Sequence, residues 1–119
     1  MKNRVICVMI ASLISVHLCS CALFTKGMDD RSSFSKTLSE VEDGIRNEEW
    51  DKARIGQDKA FKTWHQLKPF LQIDIDHDYV YQIEKDFISL RAYLEMQDKS
   101  EALVTIMLIE DVWENIGEM

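Results

Sequence analysis

The sequence predicts an all-α fold: an antiparallel bundle of about four helices, arranged as two helical hairpins, after an N-terminal signal or anchor. From residue 33 onwards, apolar side chains recur at helical spacing, and no strand-like alternation of apolar and polar residues is present. The same stretch contains one proline, Pro69, and only Gly44 and Gly56 as glycines before the terminal Gly117. The segments are joined by short links, which favour antiparallel packing of sequential helices.

The first hairpin is predicted from two amphipathic segments. Segment one covers about Ser33 to Arg46. Segment two opens at Asn47, a good N-cap residue, and continues until Pro69 ends or kinks it, because proline lacks an N–H and restricts the residue before it. The apolar faces consist of Phe34, Leu38, Val41 and Ile45 in segment one and Trp50, Ala53, Ala60, Phe61, Trp64 and Leu67 in segment two.

The second hairpin is predicted in the same way. Segment three follows the acidic stretch 74–78, and segment four begins near Asp98, with Glu101 at the spacing of a capping box. Their apolar faces are Val80, Ile83, Phe87, Leu90 and Leu94, followed by Ala102, Leu103, Ile106, Ile109, Trp113 and Ile116. Met107 and Leu108 widen the apolar face of segment four, which indicates either a central position in the bundle or a partner.

The two hairpins superpose at an offset of 49 residues, which pairs Ala53 with Ala102 and Trp64 with Trp113. This offset equals seven heptads, so heptad-like stripes match at it in any case, and a duplication does not follow. The large aromatic residues and the small residue after the first turn are expected in the core. These predicted structural residues are Trp50, Ala53, Trp64, Phe87 and Trp113.

The N-terminus has the organisation of a secretory signal, predicted for residues 1–20. Lys2 and Arg4 precede an apolar run from Val5 to Leu18, and small residues follow. Leu18-Cys19-Ser20-Cys21 resembles the lipobox of bacterial lipoproteins. The resemblance implies cleavage before Cys21, a diacylglycerol on its thiol and acylation of the new amine, of the palmitate type.

An uncleaved transmembrane anchor is the main alternative to cleavage, since residues 5–24 approach the length that spans a bilayer. Free secretion is the other alternative. Lipidation and a helical anchor both place the domain at the outer face of a bacterial cell membrane, because basic residues remain on the cytoplasmic side. We expect a polar tether over residues 21–32 and the helical domain over residues 33–119.

Composition limits the possible partners. The cysteines are Cys7, Cys19 and Cys21, so the helical domain has no disulfide and depends on packing. The net charge is −7, and without Lys2 and Arg4 the remaining 12 basic and 21 acidic residues give −9. This acidic balance argues against nucleic acid and against lying flat on anionic headgroups. The domain should stand off the membrane.

Several residues also carry a resemblance to a known family. These are Glu49-Trp50-Asp51-Lys52-Ala53, Trp64, His77, Ile83 to Leu90, and Asp98 with Ala102-Leu103. With them, residues 33 to 117 resemble domain of unknown function family 4363. The resemblance implies a short helical protein with an N-terminal membrane or lipid anchor, mainly from Gram-positive bacteria. It implies no activity.

The densest set of possible metal ligands is Asp74, Asp76, His77 and Asp78. Carboxylates suit calcium or magnesium, and a histidine among carboxylates suits zinc or manganese. The segment lacks the glycine and the closing glutamate of an EF-hand. The alternative is a solvated turn that caps segment three. His77 is expected to pack against Trp64 or Trp50 rather than to act in catalysis.

No catalytic constellation is visible in the sequence. There is no nucleophile-elbow pattern and no glycine-rich phosphate loop, so neither an enzyme nor a cofactor is expected. The sequence therefore favours a cell-envelope helical lipoprotein that acts as an interaction or structural module, with a protein partner in the envelope. The alternative is a small-ligand- or metal-binding lipoprotein that uses the segment 74–78.

Overall fold

The computed structural model describes residue 1, residue 6 and residues 26–30, 32–73 and 75–118. Four long helices account for most of this part of the chain, and the predicted all-α class is confirmed. A short helical stretch over residues 26–30 precedes them. The long helices are α1 (Phe34–Arg46), α2 (Trp50–Leu71), α3 (His77–Met96) and α4 (Lys99–Glu118).

The four helices form one closed antiparallel bundle. The two hairpins, α1–α2 and α3–α4, are the most extensively packed pairs, and α1 against α4 and α2 against α3 complete the ring. The α1–α4 pair is antiparallel, since Lys99 Nζ lies 3.1 Å from Glu48 Oε1 and Trp113 Nε1 donates to Ser35 Oγ at 2.9 Å. This contact makes the domain a four-helix bundle rather than a stack of two hairpins.

The core is built from the apolar stripes of all four helices. Each stripe repeats at three- and four-residue spacing, so its members share one helix face. Ala53, Trp64, Phe87 and Trp113 lie in this core, whereas Trp50 is only half-buried and packs against its edge. Trp50 is the first residue of α2, next to the turn.

An aromatic cluster joins the helices at one level of the bundle. Phe34, the first residue of α1, is fully buried. Its ring centroid lies 4.8 Å from that of Trp113 in α4, 6.3 Å from Phe87 in α3 and 6.4 Å from Trp64 in α2. Such edge-on and tilted pairs contribute about 0.5–1.5 kcal/mol each beyond area burial.

The turn between α1 and α2 differs from the prediction. Asn47 does not cap α2; it ends α1, and its backbone N–H donates to Asp43 O at 3.0 Å. Glu48 then adopts a φ of 58°, and the backbone N–H of Glu49 donates to Gly44 O at 2.8 Å. Asn47 itself has a φ of −89°, so the left-handed position that ends the helix is taken by Glu48.

The other two helix starts follow the predicted capping residues. Asp76 caps α3, with Oδ1 accepting from the Asp78 backbone N–H at 3.4 Å. Asp98 Oδ1 accepts from the backbone N–H of Glu101 at 3.2 Å at the start of α4. Pro69 lies inside the last turn of α2, which ends at Leu71.

The tether predicted for residues 21–32 is partly ordered. Met28, in the helical stretch 26–30, packs against the core. Asp29 accepts the backbone N–H of Ser33 at 2.7 Å and, through Oδ1, that of Ser35 at 2.8 Å. Packed structure therefore begins before residue 33. Residues 2–5 and 7–25, which include Cys7, Cys19 and Cys21, lie outside the described residues.

Close approach of α1 and α2 depends on small residues. A Cβ added to Gly44 would lie 3.2 Å from both Cβ and the backbone N of Ala53. Both neighbours belong to a short, rigid residue in a helix, so neither can rotate away. A side chain at residue 44 would have to push the two helices apart.

We expect Gly44→Ala to lower the free energy of unfolding by about 1–3 kcal/mol, the usual cost of overpacking a tight contact. Urea unfolding followed by circular dichroism measures this change. Gly27→Ala is the matched control, because a Cβ there meets nothing within 4 Å. A Gly44→Ala variant as stable as Gly27→Ala would contradict the close packing of α1 on α2.

Candidate functional site

The predicted metal ligands lie at the start of α3. Asp76, His77 and Asp78 are exposed, and Asp76 is engaged in capping the helix. The prediction that His77 packs on Trp64 or Trp50 is wrong, because this side chain, in the first turn of α3, is exposed to solvent. Asp74 lies outside the described residues. Within the described ranges, no three His, Cys, Asp or Glu residues gather as metal ligands.

A polar groove runs between α2 and α3. Its cavity of about 360 Å³ is lined by Arg54, Gln57, Asp58, Arg91, Leu94 and Glu95. Gln57 is buried, and its Nε2 donates to the Phe87 carbonyl at 3.4 Å. Each arginine already has an acidic neighbour: Arg54 pairs with Asp51, and Arg91 pairs with Asp58 at 3.4 Å. The groove therefore neutralises its own charges.

The second candidate is the solvent-facing side of α4, here called the outer α4 surface: Val104, Met107 and Leu108. These side chains retain 55%, 51% and 46% of their accessible area. Their i, i+3, i+4 spacing places them on one face of the helix. The core stripe of α4 occupies the other side, so this helix is apolar on two faces. Three neighbouring apolar side chains form a patch rather than scattered exposure.

A carboxyl cluster borders this surface where α4 packs on α1. Glu110 is half-buried, and the Ser39 hydroxyl on α1 donates to its Oε1 at 3.5 Å. Burial, followed by repulsion from Glu42 and from Glu114, raises the pKa of Glu110 from 4.5 to about 7, although the hydrogen bond from Ser39 acts to lower it. Arg46 is engaged with another member of this group, since its Nε donates to Glu42 Oε1 at 2.8 Å. We call Glu42, Glu110 and Glu114 the Glu110 cluster.

Comparison with known proteins places the domain in a family. Residues 28–119 match the Domain of unknown function (DUF4363). The chain belongs to this family. The match covers the whole bundle and begins at Met28, a residue that packs against the core. No curated protein and no solved structure matched the chain.

None of the helices that the structure describes is both long enough and apolar enough to cross a bilayer. Cys21, the predicted lipidation residue, lies outside the described residues. Lipidation and a helical anchor both remain predictions.

Sequence reasoning found part of the outer α4 surface and none of the Glu110 cluster. Met107 and Leu108 stood out as apolar residues outside the core stripe, and the same spacing would have added Val104. The contact between Ser39 and Glu110 joins residues 71 positions apart, so local spacing carries no signal for it. The α2–α3 groove could not be predicted either, because its two arginines come from different helices.

The raised pKa of Glu110 predicts a pH-dependent stability. The folded chain keeps this proton up to about pH 7, whereas the unfolded chain loses it near the ordinary value of 4.5. The stabilising contribution is therefore complete below pH 4.5 and is lost as pH rises through 7. We expect Glu110→Gln to be more stable than wild type at pH 8, by about 1 kcal/mol after allowance for solvent screening.

Urea unfolding at pH 5 and pH 8 measures this difference, which should shrink at the lower pH. Asp111→Asn is the control, because Asp111 is the exposed acid next to Glu110. If both variants changed the pH dependence equally, general charge repulsion rather than the Glu110 cluster would be responsible.

Proposed function

We propose that the protein is a non-enzymatic interaction module of the cell envelope, held at the outer face of the membrane by its N-terminus. The observation that carries this proposal is the outer α4 surface. The core of the bundle is complete without Val104, Met107 and Leu108, since all four helices already bury continuous apolar stripes. These three side chains keep about half of their accessible area after folding, and a partner that covered them would remove this apolar area from water.

The proposed tether supports the same role. A lipid on Cys21 would hold the acidic domain close to the membrane, while the anionic headgroups repel its surface. A domain held in this way presents its faces to other envelope proteins. Two acyl chains give a stable anchor where a single chain gives a reversible one.

Small-ligand binding is a second candidate, and the α2–α3 groove favours it more than the segment 74–78 does. The volume of about 360 Å³ falls within the range of small-molecule pockets. However, such pockets are mainly apolar with a few polar groups, and this one is lined mainly by charged and polar side chains. The interaction module is therefore the better supported function.

The anchor is tested by expressing the full chain and Cys21→Ala in a Gram-positive host. We expect wild type to be cleaved before Cys21, to carry a diacylglyceryl mass and to fractionate with membranes. Cys21→Ala should lack both processing and lipid, because the thiol is the attachment atom. Intact mass and membrane fractionation provide the readouts. An unmodified, uncleaved chain in both strains would instead establish a transmembrane anchor.

The interaction role is tested by photocrosslinking in the same host. A photoreactive amino acid at residue 107 should give a discrete crosslinked band, because Met107 lies on the outer α4 surface. The matched control is residue 55, since Ile55 is an equally apolar and more exposed residue on the outer side of α2, with 71% of its area accessible. Identical crosslinking from both positions, or none from residue 107, would rule out a specific partner at this surface.

A further inference from the structure

We propose that the partner of the outer α4 surface is a basic amphipathic helix, which lays apolar side chains on Val104, Met107 and Leu108 and places lysine or arginine beside the acids of α4. This inference rests on the proposed function and specifies the chemistry of the partner.

Beyond Lys99, all charged side chains of α4 are acidic. From residue 100 to residue 118 the helix sequence contains no lysine, arginine or histidine. Its acids are Glu101, Glu110, Asp111, Glu114 and Glu118. Lys99, the base that precedes this stretch, is directed to Glu48 in the turn between α1 and α2, at 3.1 Å. In the described part of the chain, no lysine or arginine forms an ion pair with Glu110, Asp111 or Glu114, so the apolar patch is bordered by negative charge.

The outer face of α4 changes from apolar to acidic along the helix. Val104, Met107, Asp111 and Glu114 follow one another at three- and four-residue intervals, so they form a single stripe. The stripe is apolar in its first half and acidic in its second. An amphipathic helix fits such a stripe, because its own apolar residues recur at the same spacing and can be followed by bases.

Other occupants fit these charges less well. A second copy of the chain carries the same net charge of −7, and like charges brought together at an interface cost binding energy. A membrane surface with anionic headgroups would be repelled for the same reason. A basic helix is attracted by the charges that exclude these two occupants.

The Glu110 cluster adds a measurable consequence. The charged groups that raise the pKa of Glu110 are Glu42 from α1 and Glu114 from α4, while Ser39 is its hydrogen-bond donor and Arg46 is engaged with Glu42. A lysine or arginine from a partner would favour the carboxylate and lower this pKa. Binding would then release the proton of Glu110 and weaken as pH falls below 7.

The test uses a dye-labelled synthetic helix of about five turns, with leucine on one face and lysine elsewhere. Its affinity for the full chain in a neutral detergent is measured by fluorescence anisotropy at low salt, at pH 6 and at pH 8. Two control peptides replace every lysine by glutamate or every leucine by glutamine. We expect only the lysine–leucine peptide to bind, about tenfold more weakly at pH 6 than at pH 8.

Variants of the chain locate the binding site. Met107→Lys and, as a second position on the same surface, Val104→Lys should each weaken binding about tenfold or more, because they remove an apolar contact and add a repelling charge. Ile55→Lys makes the same change on α2 and should leave the affinity unaltered. Glu110→Gln should bind without the pH dependence. Circular dichroism establishes that each variant is folded.

The outcomes separate this inference from the proposed function. Equal binding of the lysine and glutamate peptides, or equal weakening by Ile55→Lys and Met107→Lys, would overturn the basic-helix partner. Absence of peptide binding would overturn it as well. A specific crosslink at residue 107 would, in that case, leave the interaction module intact with a partner of different chemistry.

Discussion

The bundle depends on the contacts of one side chain, Phe34. It stands at the first residue of α1, and its ring meets aromatic rings from each of the other three helices. The helical domain contains no cysteine, so no covalent link can replace this contact. Because the cluster joins residues from both hairpins, it ties α1–α2 to α3–α4 at the end where α1 begins. The capping of that end by Asp29 holds Phe34 in place, through its hydrogen bonds to Ser33 and Ser35.

The helix α4 contributes both to the core and to an exposed apolar surface. One side completes the core through Ile106, Ile109 and Trp113, and the opposite side carries the exposed apolar patch. The flank between these sides holds Glu110 against α1. A substitution on the outer α4 surface is therefore close to the contact between Ser39 and Glu110. This contact contains a titratable group and also joins α1 to α4. Binding of the proposed partner would therefore be coupled, through a single helix, to the protonation of Glu110 and to the α1–α4 contact.

Much of this fold could be predicted from the sequence, because helices and caps are encoded locally. The apolar stripes gave the four helices, and Asp76 and Asp98 gave two of their starts. The cap predicted at Asn47 is wrong, since the chain uses this residue to end α1 and turns at Glu48 before α2 begins. The Glu110 cluster could not be predicted, because it depends on which faces of α1 and α4 meet. That choice is made by packing across the bundle rather than by any spacing within a helix.

The two core tryptophans differ in the hydrogen bonding of the indole N–H. The indole N–H of Trp113 donates to Ser35, whereas that of Trp64 is buried without a partner among the described residues. An indole in a dry, unbonded setting emits at shorter wavelength than one bonded to a hydroxyl or to water. Trp64 would therefore report the opening of the bundle centre as a red shift of its fluorescence emission. The chain thus carries a built-in optical probe of its own interior.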